Sequence, residues 1–295
     1  MDKGKTLAGI GFGLGAYGIW GFFPLFFRQL GHVSPADVLC NRALWGCVLV
    51  SLILTVRRGW PQVGSAARRP GNLLRLAFAG LLVGSNWLGF LWAVDQRLVI
   101  AGSLGYFLTP LVNVLLGMLV LKERLNGKEW AAVGLAVAAV GNEFIALGSL
   151  PWVSLFLGGT FGLYGLVRKQ VPVDAVSGLW LETLSMLPLV GLYALWQGSQ
   201  GHAVFTGHDG LTDFLLAMSG VMTALPLMLF AAATQRLNLA TVGMLMYINP
   251  TMQLVTAVWI FGEELQPARL VTFGLIWAGL LCYSWAGWEK YRQAA

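Results

Sequence analysis

Arg42, Asn86, Asn113, Glu143, Glu182, Asn249 and Gln253 carry polar side chains inside stretches of sequence that are otherwise apolar. Polar groups so placed either catalyse, when acids, bases and nucleophiles gather at one depth, or recognise a polar solute along a path. The set favours recognition. No Ser, His and Asp share a depth, H-E-x-x-H is absent, and so is the G-x-x-x-x-G-K-[ST] loop that would cradle nucleotide phosphates. Gly13 to Gly18 matches G-x-G-x-x-G, with Asp37 near the place of a ribose-binding acid. A dinucleotide site needs a strand before those glycines and a helix after them, whereas the whole match lies in one apolar run. Helix packing is the better reading, because glycines spaced this way make a smooth face for a neighbouring helix. Cys40, Cys47 and Cys282 form no C-x-x-C, and His32, His202 and His208 suggest no ligand set. No catalytic residue, metal or cofactor is expected.

The elements that must hold these residues follow from composition. Of 295 residues, 57% are hydrophobic and only 11% charged, with a mean hydropathy of +0.70. A soluble domain is about a quarter charged, and a larger core cannot remove that need because a soluble surface still faces water. Hydrocarbon as solvent accounts for the deficit. It also accounts for the 13 Trp and 38 Gly, residues favoured at membrane interfaces and close helix contacts. The net charge of +6 reads as loop charge that sets topology, so nucleic acid is not an expected partner; membrane lipid is.

A helix needs about 20 apolar residues to span the bilayer, with tolerance to about 17. Spans are expected near 7–27, 37–56, 73–94, 102–121, 130–147, 151–167, 175–196, 214–233, 241–261 and 270–288, the first being a retained helix although Lys3 and Lys5 precede it. Arg57–Asn72, Lys122–Glu129, Arg168–Asp174 and Gln197–Asp213 are polar breaks. With the N-terminus cytoplasmic, the inner segments hold Lys3, Lys5, Arg57, Arg58, Arg68, Arg69, Arg75, Lys122, Arg124, Lys128, Arg168, Lys169, Arg236, Lys290 and Arg292, against Arg28, Arg97 and Arg269 outside. The positive-inside rule therefore puts both termini in the cytoplasm.

The two halves repeat. Gln96-Arg97-Leu98 parallels Gln235-Arg236-Leu237, and Tyr106 to Pro110 parallels Met246 to Pro250. Glu123, Leu125 and Gly134 match Glu263, Leu265 and Gly274; Gly15, Gly18 and Gly21 mirror Gly159, Gly162 and Gly165; Pro35-Ala36-Asp37 mirrors Pro172-Val173-Asp174. Each half, 1–150 and 151–295, holds five spans, an odd number, so the second runs the opposite way through the membrane. The expected fold is an all-α polytopic membrane protein of ten transmembrane helices in two inverted five-helix repeats, the design of secondary transporters with a midplane substrate site.

Pro110 and Pro250 lie about 12 Å into their spans from opposite ends. Each should release the carbonyl four residues earlier and act as a gating kink. Trp20, Trp87, Tyr106, Tyr164 and Tyr247 sit beside glycines, amides or these kinks. With Arg42, Asn86, Asn113, Glu182, Asn249 and Gln253 they make up the expected substrate pathway. Arg42, about 7 Å from its span end, could snorkel, and Glu143 could reach the headgroups. Glu182 lies deep enough to demand a partner or a proton.

Trp20-Gly21, Ser85-Asn86-Trp87 with Leu91-Trp92-Ala93-Val94, Ser103 to Phe107 with Pro110 to Asn113, Gly162 to Gly165, Leu181-Glu182-Thr183, and Tyr247-Ile248 with Pro250 carry a family likeness. The sequence resembles the RarD branch of the EamA transporters, in the drug/metabolite transporter superfamily, over about residues 7–288. Amino acid exporters of the YddG kind are relatives in that superfamily, and RarD proteins are linked by name to chloramphenicol sensitivity. The resemblance implies a ten-helix inverted repeat, cytoplasmic termini, and passage of metabolites across the bacterial inner (plasma) membrane. The loop holding His202 and His208 matches no pattern of that family.

These readings converge on a secondary transporter or facilitator of small organic solutes, amino acids first and a drug as a further candidate, exported by alternating access by a chain that could act as a monomer. An integral-membrane enzyme and a passive solute channel are the rivals. A cysteine at Ser65 should react only with reagents that reach the cytoplasm, and one at Ser199 only with external reagents; labelling both from one side would overturn the ten-span topology.

Overall fold

The computed structural model describes residues 3–122, 125–205, 207, 209–234, 236–237 and 245–294. Glu123, Arg124, His208 and Gln235, which figure in the repeat, the charge bias and the unplaced loop, lie outside the described residues. Regular structure in the described residues is helical: α1 Lys3–Gly21, α2 Phe23–Arg28, α3 Pro35–Val56, α4 Trp60–Ala67, α5 Pro70–Asp95, α6 Val99–Leu121, α7 Gly127–Leu147, α8 Trp152–Lys169, α9 Ala175–Ser199, α10 Gly210–Thr234, α11 Ile248–Val255 and α12 Pro267–Ala294, with a π-helical turn Thr256–Ile260 after α11. Among these residues eight helices are long and apolar enough to cross a membrane. Leu7, Val56, Leu74, Ile145 and Trp259, each 72–81% exposed, face outward as they would toward lipid. In water such a coat would be an aggregation surface.

Local sequence explains the helix ends. Ser34 caps α3, its hydroxyl accepting from the Asp37 amide at 3.1 Å, with Pro35 in the first turn where no donor is needed. Asp174 caps α9 by accepting from the amides of Val176 and Ser177. Asp37 and Asp174, which mirror each other in sequence, therefore do different jobs, one inside the first turn and one at the cap. Asn126 and Glu129 form a capping box at α7.

Two elements differ from the sequence-based expectation. The Arg57–Asn72 break contains α4, which buries Val63 and Ala66 and sets Trp60 edge-on against Trp180 at 5.2 Å. Pro61 and Gly64 hide that helix in the sequence, and its burial against α9 supplies what propensity does not. The second difference concerns the gating kinks. Pro110 lies inside the unbroken α6, as expected, but Pro250 is the third residue of α11, after a turn at Met246 and Tyr247. A first-turn proline breaks no hydrogen bond, so the interruption here precedes the proline.

Helices of the first half pack mainly on helices of the second: α1 on α10 and α11, α3 on α9 and α10, α5 on α8 and α9, α6 on α8 and α11, and α7 on α12. Small residues permit the closest crossings. A Cβ on Gly220 of α10 would stand 2.5 Å from the Trp45 carbonyl carbon of α3, and one on Gly80 of α5 would stand 2.6 Å from the Glu182 carbonyl oxygen of α9. Gly220→Ala and Gly80→Ala should each force backbones apart at a cost of about 1–3 kcal/mol. Both should lower the melting temperature in detergent by several degrees, while Gly18→Ala, with nothing within 4 Å of its added methyl, should not.

Candidate functional site

The membrane-deep polar residues fall into three contact groups. In the first, Arg42 of α3 is 3% exposed, and its Nε donates to Thr223 Oγ1 of α10 at 2.7 Å. Its guanidinium carbon lies 4.1 Å from the Trp87 ring centroid, 5.2 Å from that of Phe23 and 5.3 Å from that of Phe27. Rather than snorkelling, Arg42 is enclosed. A charge at midplane costs at least ~2.5 kcal/mol, and a desolvated cation–π contact returns roughly 2 kcal/mol. Three ring faces therefore offset much of the burial cost without a carboxylate. None of the described carboxylates pairs with it; the buried ones are engaged elsewhere.

Behind Trp87, Asn86 ties three helices together. Its Nδ2 donates to Leu157 O and Thr160 Oγ1, both at 2.9 Å, and its Oδ1 accepts from the Tyr106 hydroxyl at 3.1 Å. With its amide committed to the protein and 1% exposure, Asn86 positions Tyr106 and Trp87. The Tyr106 phenol also lies within electrostatic reach of Arg42.

The second group answers the demand made by Glu182. Its Oε1 lies 3.0 Å from Arg168 Nε, and its Oε2 accepts from the Tyr164 hydroxyl at 3.1 Å. Gly178 makes room for the guanidinium, which a Cβ there would strike. Sequence reasoning treated Arg168 only as a topological charge, although it sits four residues after Tyr164 on the same helical face. Thr223, Phe23 and Phe27 gave no signal, because ordinary residues acquire their roles here only by packing.

The third group surrounds the two broken segments. α1 gives way to α2 at Phe22, and Gln253 of α11 reaches that break, its Nε2 donating to Trp20 O at 3.5 Å and to Asn249 Oδ1 at 2.8 Å. Its Oε1 is buried with no hydrogen-bond partner. Trp20 packs against Tyr17 and Phe230 at 5.5 and 6.0 Å between ring centroids. Ser103 of α6 donates to Pro250 O at 2.7 Å, linking α11 to the proline-bearing helix. Tyr247 lies in the turn just before α11, its carbonyl accepting from Thr251 Oγ1 at 2.7 Å, and packs against the same apolar cluster as Trp20. Asn113 is exposed on α6, its amide oxygen facing Gly162 and Gly165 of α8.

Glu143 is 1% exposed and accepts from Arg269 Nε and Thr272 Oγ1, each at 3.1 Å, which fastens α7 to α12. At the same end, Glu263 crosses to the free first turn of α6, accepting from the amides of Val99 at 2.8 Å and Ile100 at 2.9 Å. Burial still holds its carboxyl above the usual carboxylate range, against those two bonds. Two cavities open at this end. One of about 290 Å³ is lined by Arg97, Phe261, Glu263 and Arg269 among others, and one of about 360 Å³ by Arg28, Gly31, His32, Asp95 and Arg97.

Residues 7–141 match the EamA-like transporter family. Protein RarD of Salmonella typhi is 39% identical over 96% of this chain and 96% of its own. Protein RarD of Escherichia coli K12 is 36% identical over the same shares. This chain belongs to the RarD-type EamA transporters. An uncharacterized transporter of Vibrio cholerae is 39% identical over 99% of this chain and 97% of its own. A protein of known crystal structure superposes with a TM-score of 0.60 at 19% identity, covering 96% of this chain and 98% of that one, which speaks to the fold alone. A RarD-type protein is a multi-pass membrane transporter, and its buried polar groups are to be read in that light.

Glu182→Gln should leave the Arg168 charge without its carboxylate. We expect a loss of about 2–4 kcal/mol, the scale of a broken buried ion pair with some relief from the partial exposure of Arg168. Arg168→Gln combined with Glu182→Gln should lose clearly less than the two single losses added. Strict additivity of the melting temperatures would show that the pair is not coupled.

Proposed function

We propose that the chain carries small organic solutes, amino acids first, outward across the bacterial inner membrane by alternating access. Its ten spans form two inverted five-helix repeats, 1–150 and 151–295, and both termini are cytoplasmic. The residues expected to form the pathway are the three groups around Arg42, Glu182 and Gln253, with Pro110 and the break before Pro250 as the points of bending.

The observation that carries the reading is the pairing of helices between halves. Taking α1, α3, α5, α6 and α7 as counterparts of α8, α9, α10, α11 and α12, the α1–α10 contact becomes α8–α5, α3–α10 becomes α9–α5, and α6–α8 becomes α11–α1; α3–α9, α6–α11 and α7–α12 map onto themselves. Every one of these contacts occurs. A two-fold pseudo-axis in the membrane plane would produce such a pattern, and rocking one helix group against the other about that axis is how such bundles alternate access. The discontinuous segment at α11 supports the same reading, since interrupted helices expose backbone groups where polar solutes bind. The atoms left over also suit a zwitterion: guanidinium donors at Arg42 and an acceptor oxygen at Gln253.

Counterflow in proteoliposomes tests the proposal. Vesicles preloaded with an unlabelled amino acid should accumulate the labelled one transiently, with saturation at high concentration. Uptake that is linear in concentration and shows no counterflow would point to a channel instead.

A further inference from the structure

We propose that Arg42 is the anchor for a carboxylate on the transported solute, and that the substrates are therefore organic acids or amino acids bound through that group. This rests on the transport reading above and gives its substrate a chemical class.

Three facts about the site lead there. Arg42 is nearly sealed from outside, at 3% exposure, and of its hydrogen-bonding groups only Nε is used, by Thr223. Neither Nη makes a hydrogen bond with any described residue. The other two deeply buried charges of the spans behave differently: Glu143 and Glu182 each hold a guanidinium and a hydroxyl. Among the described residues the chain thus pairs these buried carboxylates internally; Arg168, which also has a buried Nη1 without a hydrogen-bond partner, is paired with Glu182, whereas Arg42 has spare donors and no carboxylate.

The aromatic enclosure fits this role. The guanidinium carbon lies over the rings of Trp87, Phe23 and Phe27, and these rings stabilise the cation without supplying an oxygen acceptor to its N–H donors. A carboxylate meets a guanidinium edge-on through two parallel hydrogen bonds, while rings meet it face-on. An internal carboxylate would have taken the edge permanently, whereas rings hold the charge ready and leave the edge for a solute that must also depart.

The position is suitable as well. Phe23 and Phe27 belong to α2, which begins where α1 breaks, and Thr223, Trp87 and Tyr106 bring α10, α5 and α6 to the same guanidinium. A small void of about 10 Å³, lined by Phe27, Val38, Leu91 and Asp95 among others, adjoins one of the caging rings. Helices from both halves therefore surround one charge, and a ligand there would sense their relative movement.

The experiment uses the purified full-length protein in detergent and a panel of L-leucine, L-phenylalanine, L-threonine and 4-methylpentanoate, beside leucinamide, phenylalaninamide, threoninamide and 3-methylbutylamine. Binding is read from thermal shift against concentration. We expect at least one acid to bind with its amide or amine partner at least 10-fold weaker. Arg42→Gln should abolish that preference, and Arg42→Lys should keep part of it. If Arg42→Gln does not fold, the acid-to-amide ratio of the native chain and of Arg42→Lys decides. Equal binding of acids and amides, no binding by any acid, or an unchanged preference in Arg42→Gln would each overturn the proposal. Counterflow with the same panel separates this failure from that of the transport reading. Transport of acids and amides alike leaves transport standing without the Arg42 anchor, and acid-selective binding with no counterflow leaves the anchor without transport.

Discussion

Hydrocarbon around a helix bundle offers no hydrogen bond to a buried polar group, and the interior of this protein is arranged by that constraint. Glu143 is held by Arg269 and Thr272, which fixes α7 on α12. Glu182 is held by Arg168 and Tyr164, which fixes α9 on α8. Asn86 spends its amide on α6 and α8. Each such group costs several kcal/mol if left alone in lipid, so each specifies which helix must lie beside it. Apolar contact cannot do that, because lipid tails are as apolar as leucine.

Where polar groups choose the neighbour, glycines set the distance. Gly80 on α5 against α9 and Gly220 on α10 against α3 each let a partner backbone come to where a Cβ would collide. The close crossing of α5 on α9 also carries the backbone of Glu182. Tight packing and the charged pair are therefore parts of one contact. The α1–α2 break, the proline-bearing α6 and the turn before α11 lie elsewhere and are connected by the side-chain to backbone hydrogen bonds of Gln253 and Ser103.

Arg42 departs from the rule that governs the buried carboxylates. It takes ring faces and one threonine in place of a counter-ion. A fully paired interior would be rigid and closed to solutes. A transporter needs interactions that a solute can complete and then release, and a charge stabilised by aromatic faces meets that need without a permanent partner.

Much of this was legible in the sequence. Hydropathy and spacing gave the helical class and the ends of α3, α5, α6 and α7 to within about three residues, because apolar run length and capping residues are local properties. The family likeness and the list of deep polar residues were legible for the same reason: composition alone marks a polar residue in an apolar run. Pairing was not. That Glu182 takes Arg168, that Glu143 takes Arg269, and that Arg42 sits under Trp87, Phe23 and Phe27 all depend on which helices are neighbours. The amphipathic α4 and the early position of Pro250 in α11 were hidden because local propensity says little about what a segment packs against. Sequence by itself determined which residues must find partners in a membrane; only tertiary structure decided the partners, because in hydrocarbon that choice is made by hydrogen-bond geometry and close approach between segments distant in the chain.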